Sequence, residues 1–181
     1  MKTGRVNYTT TEEIPADGTV LAGMFSVQDH PALVLFDSGA SHNFVSSMFV
    51  GKSQLKCNLM KSQYLIKSAS GQTPAKFEAK QIPLNLNAKV YPTSCIVLDG
   101  SNIDVIVGML WMKNHRVVLD IAAFTVHLDS PFHGTQSLLL HYPRPSNPTV
   151  YQVEVEGLEG IPVVKEFPDV FPEDLPGIPL K

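Results

Sequence analysis

Five consecutive apolar residues, Ala32-Leu33-Val34-Leu35-Phe36, stop abruptly at Asp37-Ser38-Gly39. A run this short and unbroken reads as a β-strand buried on both faces, because a half-exposed strand would alternate. A carboxylate at the end of such a strand faces a desolvation penalty unless it is hydrogen-bonded or put to use. Gly39 lets the backbone turn tightly or approach another segment closely. Two readings stay open at this point: Asp37 caps a helix that follows, or it is a working carboxylate.

The surrounding chain is a series of short β-type runs broken by turn residues. Thr19 to Val27 is the first, with Gln28-Asp29-His30-Pro31 as its turn. A short helix is expected at Asn43 to Met48, with Ser41 or Asn43 as cap. Tyr64 to Lys67 and Ala75 to Ala79 flank Ser68-Ala69-Ser70-Gly71-Gln72-Thr73, a hairpin with a small tip. Strand character resumes at Ile82 to Leu86, Lys89 to Leu98 and Ile103 to Val107. The last of these passes through Gly108 into a short helix at Met109 to Asn114. Val117 to Asp120 and Phe124 to Leu128 close the pattern. Many short strands with one or two short helices predict an all-β, small closed barrel-like fold over residues 16–142.

The flanks differ in composition. Six prolines fall in residues 1–142 and eight in the last 39. Residues 150–181 carry seven acids against Lys165 and Lys181, so of the overall charge of -3 residues 1–149 hold about +2. A Pro-rich acidic stretch buries too little apolar surface to offset chain entropy, so 143–181 is expected to be an extended linker. Residues 1–15 are expected to be a flexible lead-in. The charge balance argues against an electrostatic nucleic-acid binder. No apolar run approaches the ~18 residues of a membrane span, the longest being Val105 to Met112. No signal peptide is visible, so an intracellular, cytoplasmic location is expected. Cys57 and Cys95 make no metal spacing and read as free thiols in strands; the six histidines make none either, and no metal or other cofactor is called for. Trp111 reads as a packing anchor, Asp104 as a turn or edge acid, and His42 as a possible tuner of pH response near Asp37.

Phe36-Asp37-Ser38-Gly39-Ala40-Ser41 resembles the active-site signature of retropepsins, the aspartic proteases of retroviruses and retrotransposons. The hairpin around Gly71 stands where those enzymes carry a flap. Asp104-Val105-Ile106-Val107-Gly108-Met109, followed by Trp111, is similar to their late strand–Gly–helix element. The tail Glu166-Phe167-Pro168-Asp169-Val170-Phe171-Pro172-Glu173-Asp174-Leu175-Pro176-Gly177-Ile178-Pro179 looks like the segment joining protease to reverse transcriptase in Ty3/gypsy-type retrotransposon Pol polyproteins.

The resemblance implies an aspartic endopeptidase that processes a Gag-Pol polyprotein as a homodimer, with Asp37 as the one catalytic residue per chain. No other aspartate is followed by Ser-Gly or Thr-Gly, so one chain supplies half a site and two-fold symmetry can supply the rest. By the same resemblance Ser38 and Gly39 support the active-site loop. Gly39, Ala40 and Ser41 with the tip residues Ala69, Ser70 and Gly71 would hold an extended polypeptide substrate. The chain departs from retroviral relatives at Ser41 and Met109, where those carry a supporting acid and arginine. Both partners are absent together, so no lone buried charge is expected and the support must be of another kind. Leu110 stands where many gypsy-type sequences have an acid or amide. The rival expectation is a catalytically inactive retroelement-derived dimerisation or peptide-binding module.

Overall fold

A computed structural model describes residues 1–8, 20–69 and 71–140. The predicted linker and the retrotransposon-like tail lie outside the described residues, as do residues 9–15 of the lead-in.

The fold is all-β. Strands β2 (Leu21–Val27) and β3 (His30–Phe36) form a hairpin whose two-residue turn puts Gln28 and Asp29 at positive φ. That is the geometry matching the right-handed strand twist. β4 (Phe44–Ser46) leads directly into helix α1 (Ser47–Ser53). A second hairpin pairs β5 (Cys57–Ser68) with the long β6 (Gly71–Leu86), and β7 (Lys89–Leu98) returns along β6. β8 (Val105–Val107) precedes helix α2 (Met109–Asn114). The pairings β6–β2, β2–β3, β3–β8, β8–β4, β4–β7 and β7–β6 close a ring. β3–β8 and β4–β7 are its parallel contacts. A register shift between Ala79 and Ile82, with Gln81 at positive φ, bends β6 so that it serves both the hairpin and the ring.

Both faces of β3 are buried, as its unbroken apolar run predicts. Ala32, Val34 and Phe36 enter one core with Leu84, Val105, Val107 and Trp111. Leu33 and Leu35 enter another with Ala22, Phe44, Ile66 and Ile106. Trp111 anchors the first core, its indole N–H donating to Thr93 Oγ1 at 3.1 Å and its ring lying 6.4 Å from Phe36. A three-stranded sheet of β9 (Val118–Asp120), β10 (Thr125–Ser130) and β11 (Gly134–Leu139) adds Val126, Leu128 and Leu138 to that core.

Three expectations need correction. The leading segment is not wholly flexible: Lys2–Arg5 is a strand, β1, paired in parallel with Tyr64–Lys67 of β5. The helix expected over Asn43–Met48 starts later, because Phe44–Ser46 is pulled into the gap between β8 and β7. Ser46 rather than Ser41 or Asn43 is the cap, its Oγ accepting from Phe49 N at 3.0 Å. β11 had no counterpart in the sequence pattern.

Candidate active site

Asp37 lies where β3 leaves the ring, and β8 runs beside it. Its backbone N–H donates to Val107 O at 3.0 Å. The loop then folds back over α2: Ala40 N donates to Asp37 O, and Ala40 O accepts from Met109 N at 2.8 Å. Asn43 Oδ1 accepts from Gly108 N at 3.0 Å, while its amide donates to Ser94 O. This crossing explains the late glycine. A Cβ on Gly108 would collide with the carbonyl of His42 and lie 2.8 Å from Ala40 O. Asp37-Ser38-Gly39 and Val107-Gly108-Met109, 70 positions apart, are thus one structural unit.

Asp37 is 5% exposed. Its Oδ1 accepts from Gly39 N at 2.7 Å and from Asn7 Nδ2 at 3.2 Å, and its Oδ2 accepts from Asn7 N at 3.0 Å. Three N–H donors therefore satisfy a carboxylate that burial alone would penalise. A cleft opens beside it, walled by Leu35, Phe36, Ser38, Leu119, Ile121 and Tyr8. Asp37 is the only acid among the described residues lining it. Three other aspartates are engaged elsewhere: Asp104 accepts from Leu33 N, Asp120 caps Ala123 N, and Asp129 pairs with Arg116.

Of the remaining sequence-predicted residues, Ser38 lines this cleft and the other described ones do not. Ser38 is exposed, and Ala40 is fully buried against Phe44, Ile66 and Ile106. Ser41 Oγ accepts from Arg5 N at 2.8 Å and lies 2.9 Å from His42 Nδ1. Ala69 and Gly71 form the exposed tip of the β5–β6 hairpin, with Gly71 at φ +135°. Ser70 lies outside the described residues. Where relatives are expected to carry an ion pair, Ser41 binds the backbone of Arg5 and Met109 contributes only its backbone N–H, its side chain being exposed. Leu110 is exposed too, leaving Trp111 and Met112 to anchor α2. His42 packs edge-on against Tyr64 at 5.2 Å. Burial, with Lys2 adding to it, holds its imidazole below the usual histidine range.

Arg5 and Asn7 are the site residues that sequence reasoning missed. The only available signal was the alternation of Gly4 and Val6, both buried, between exposed Thr3, Arg5 and Asn7. Two apolar positions are too few to mark a strand.

Residues 1–132 match the family model described as retroviral aspartyl protease. The chain belongs to this family. The retroviral protease-like domain of Ddi1 from Leishmania major superposes with a TM-score of 0.51 at 16% identity, covering 66% of this chain and 94% of that one. DNA damage-inducible protein 1 of Candida glabrata is 27% identical over 113 residues, 61% of this chain. The chain spans about a quarter of that relative's length, 26%. The protease of EIAV, in complex with the inhibitor HBY-793, is similar at a TM-score of 0.43 and 14% identity, over 55% of this chain and 91% of that one. Membership makes this a retropepsin-like aspartic protease domain.

Proposed function

We propose that the chain is an aspartic endopeptidase that works as a homodimer and processes the Gag-Pol polyprotein of its own retroelement. The observation that carries the reading is the buried Asp37 carboxylate, which is the sole acid among the described residues lining its cleft. Peptide hydrolysis by carboxylates needs two of them around one water. The ionised member takes a proton from the water, whose oxygen attacks the scissile carbonyl carbon. The protonated member donates to the carbonyl oxygen, and a proton then passes to the leaving amine as the C–N bond breaks. Two carboxylates in contact cannot both ionise, so the pair holds the one proton this cycle requires. A second copy, related by a two-fold axis, supplies the second Asp37. Exposed Val118 and Ile121, on and beside β9, offer apolar surface near the cleft for that copy.

Ser38, exposed beside Asp37, would brace the two loops across the axis. Gly39, Ala40 and Ser41 would line the floor under a substrate, and Ala69, Ser70 and Gly71 would close over it. The sequence of residues 166–179 supports continuity with a reverse transcriptase, and processing is proposed to occur in the cytoplasm. The likeness to DNA damage-inducible protein 1 leaves a cellular polypeptide as the other source of substrate.

The test is cleavage of a panel of extended peptides, drawn from the polyprotein flanking this chain, by wild type and by Asp37→Asn. Turnover by wild type that vanishes in the variant supports the reading, and equal turnover refutes it. The rival reading, an inactive peptide-binding module, is favoured by one observation: the carboxylate is already occupied by Asn7.

A further inference from the structure

The leading segment lies between the two walls that a substrate would have to bridge. On one side Lys2–Arg5 pairs in parallel with Tyr64–Lys67 of the flap strand β5, and Val6 N donates to Lys67 O at 3.0 Å. On the other side Arg5 O accepts from Ser41 N at 2.9 Å, Arg5 N donates to Ser41 Oγ, and Arg5 Nε donates to Gly39 O at 3.2 Å. Val6 is 1% exposed, in the core that holds Ala40, Phe44, Ile66 and Ile106. Asn7 then closes on the carboxylate through its backbone N–H and its side-chain amide. The Asn7 amide packs so closely on Gly39 that a Cβ there would overlap it.

An extended strand held by backbone bonds on both sides, with alternate side chains in a pocket, is how a sheet edge receives a peptide. We propose that Arg5-Val6-Asn7 is an internal competitive ligand of the peptide cleft, so that the wild-type chain turns over only through the minor fraction in which this strap is displaced. The inference rests on the endopeptidase reading for its consequence and on the contacts above for its existence. Asn7 occupies both carboxylate oxygens, where the attacking water must bind, so the strapped form cannot turn over. The Val6 pocket also selects the displacing peptide: it favours an aliphatic side chain of valine size, with an extended backbone on either side. Because the strap is tethered, its effective concentration exceeds that of any free peptide of equal intrinsic affinity.

The experiment uses the full chain and the synthetic octapeptide Met1–Tyr8 as probe. Val6→Asp places a charge in the apolar pocket, and Asn7→Asp places one against Asp37; either should expel the strap. Both variants should bind the added octapeptide at least tenfold more tightly than wild type. Their kcat/KM on the peptide panel should rise by a similar factor. Amide exchange at Val6 and Asn7 should be slow in wild type and fast in both variants. Equal octapeptide affinity in all three chains, with folding verified by the exchange of β3 and β8 amides, overturns the proposal. So does cleavage of the strap itself, read by intact mass, since the segment would then be a substrate. If no chain cleaves any peptide, the endopeptidase reading fails while octapeptide binding still decides the strap.

Discussion

Asp37 and Gly108 carry different burdens, and substitution separates them. Asp37→Asn keeps the shape and the contact with Gly39 but removes the group that, in the proposed reaction, takes the proton from water. Turnover should fall by roughly 10²-fold or more, while thermal unfolding shifts little; peptide cleavage beside a melting curve checks both. Gly108→Ala does the reverse. Its Cβ would strike the carbonyls of His42 and Ala40, backbone atoms that cannot swing aside. A cost of about 1–3 kcal/mol is expected from overpacking, read as a lower denaturant midpoint at unchanged slope. The buried, hydrogen-bonded setting of Asp37 was legible because a carboxylate closing an apolar run is conspicuous. Asn7 was not, because its role depends on a segment returning from 30 positions away, and nothing in Arg5-Val6-Asn7 itself marks that return.

Secondary elements were legible where local preference and tertiary placement agree. The β5–β6 hairpin combines strand formers with a small tip, and α2 follows a glycine that stops β8. The segment at Phe44–Ser46 shows the opposite case. Its residues suit a helix start, but the slot between β8 and β7 offers more hydrogen bonds and buries Phe44 and Val45, so the helix is delayed to Ser47. β11 escaped notice because Gly134-Thr135-Gln136-Ser137 is polar; its place comes from pairing with β10 and from Leu138 entering the core. Two elements yield tests. Ser46→Ala removes the α1 cap and should cost about 1 kcal/mol, measurable by chemical denaturation. Gly71→Ala forces a side chain into φ +135°, a region L-residues avoid. The strain falls at the exposed flap tip, so kcat/KM should drop severalfold with a much smaller change in unfolding midpoint; a proportionate loss of both would place Gly71 outside the site.

For the whole molecule, pH acts on stability and on activity in different ways. Burial holds His42 and His115 below the usual histidine range, with Lys2 and His133 adding to the effect respectively. The native state therefore binds fewer protons than the unfolded chain just below pH ~6.5, and stability present above that point is lost as the pH falls through the native values. Asp104 works oppositely: burial raises its carboxyl against the pull of Leu33 N–H and Lys52, so its contribution is present in acid and lost as the pH rises through the raised value. The histidines act first on acidification from neutrality. The unfolding midpoint of the Asp37→Asn chain should therefore fall from pH 7 to pH 5.5, and a flat profile would contradict the burial of His115 against Trp111 and Tyr91. Turnover by the dimer should instead be bell-shaped with its maximum in mild acid, because the shared proton is lost above and a second is gained below. Specific activity should also decline on dilution with the dimer fraction, and a tandem-linked pair should resist that decline. Activity unchanged where sedimentation finds only monomer would exclude a site shared between chains.

The parallel pairing of β1 with β5 joins residues about 60 positions apart, whereas β2–β3, β5–β6 and β6–β7 are joined by tight turns. Closing so long a loop is entropically slower than closing a hairpin, so the ring should assemble first and β1 should dock onto a barrel already formed. Refolding should then show two phases, with Trp111 fluorescence recovering before Val6 becomes protected. During the interval between them a newly made chain would have its cleft uncovered, and in the proposed homodimer that interval is when a neighbouring copy would reach Asp37 unopposed.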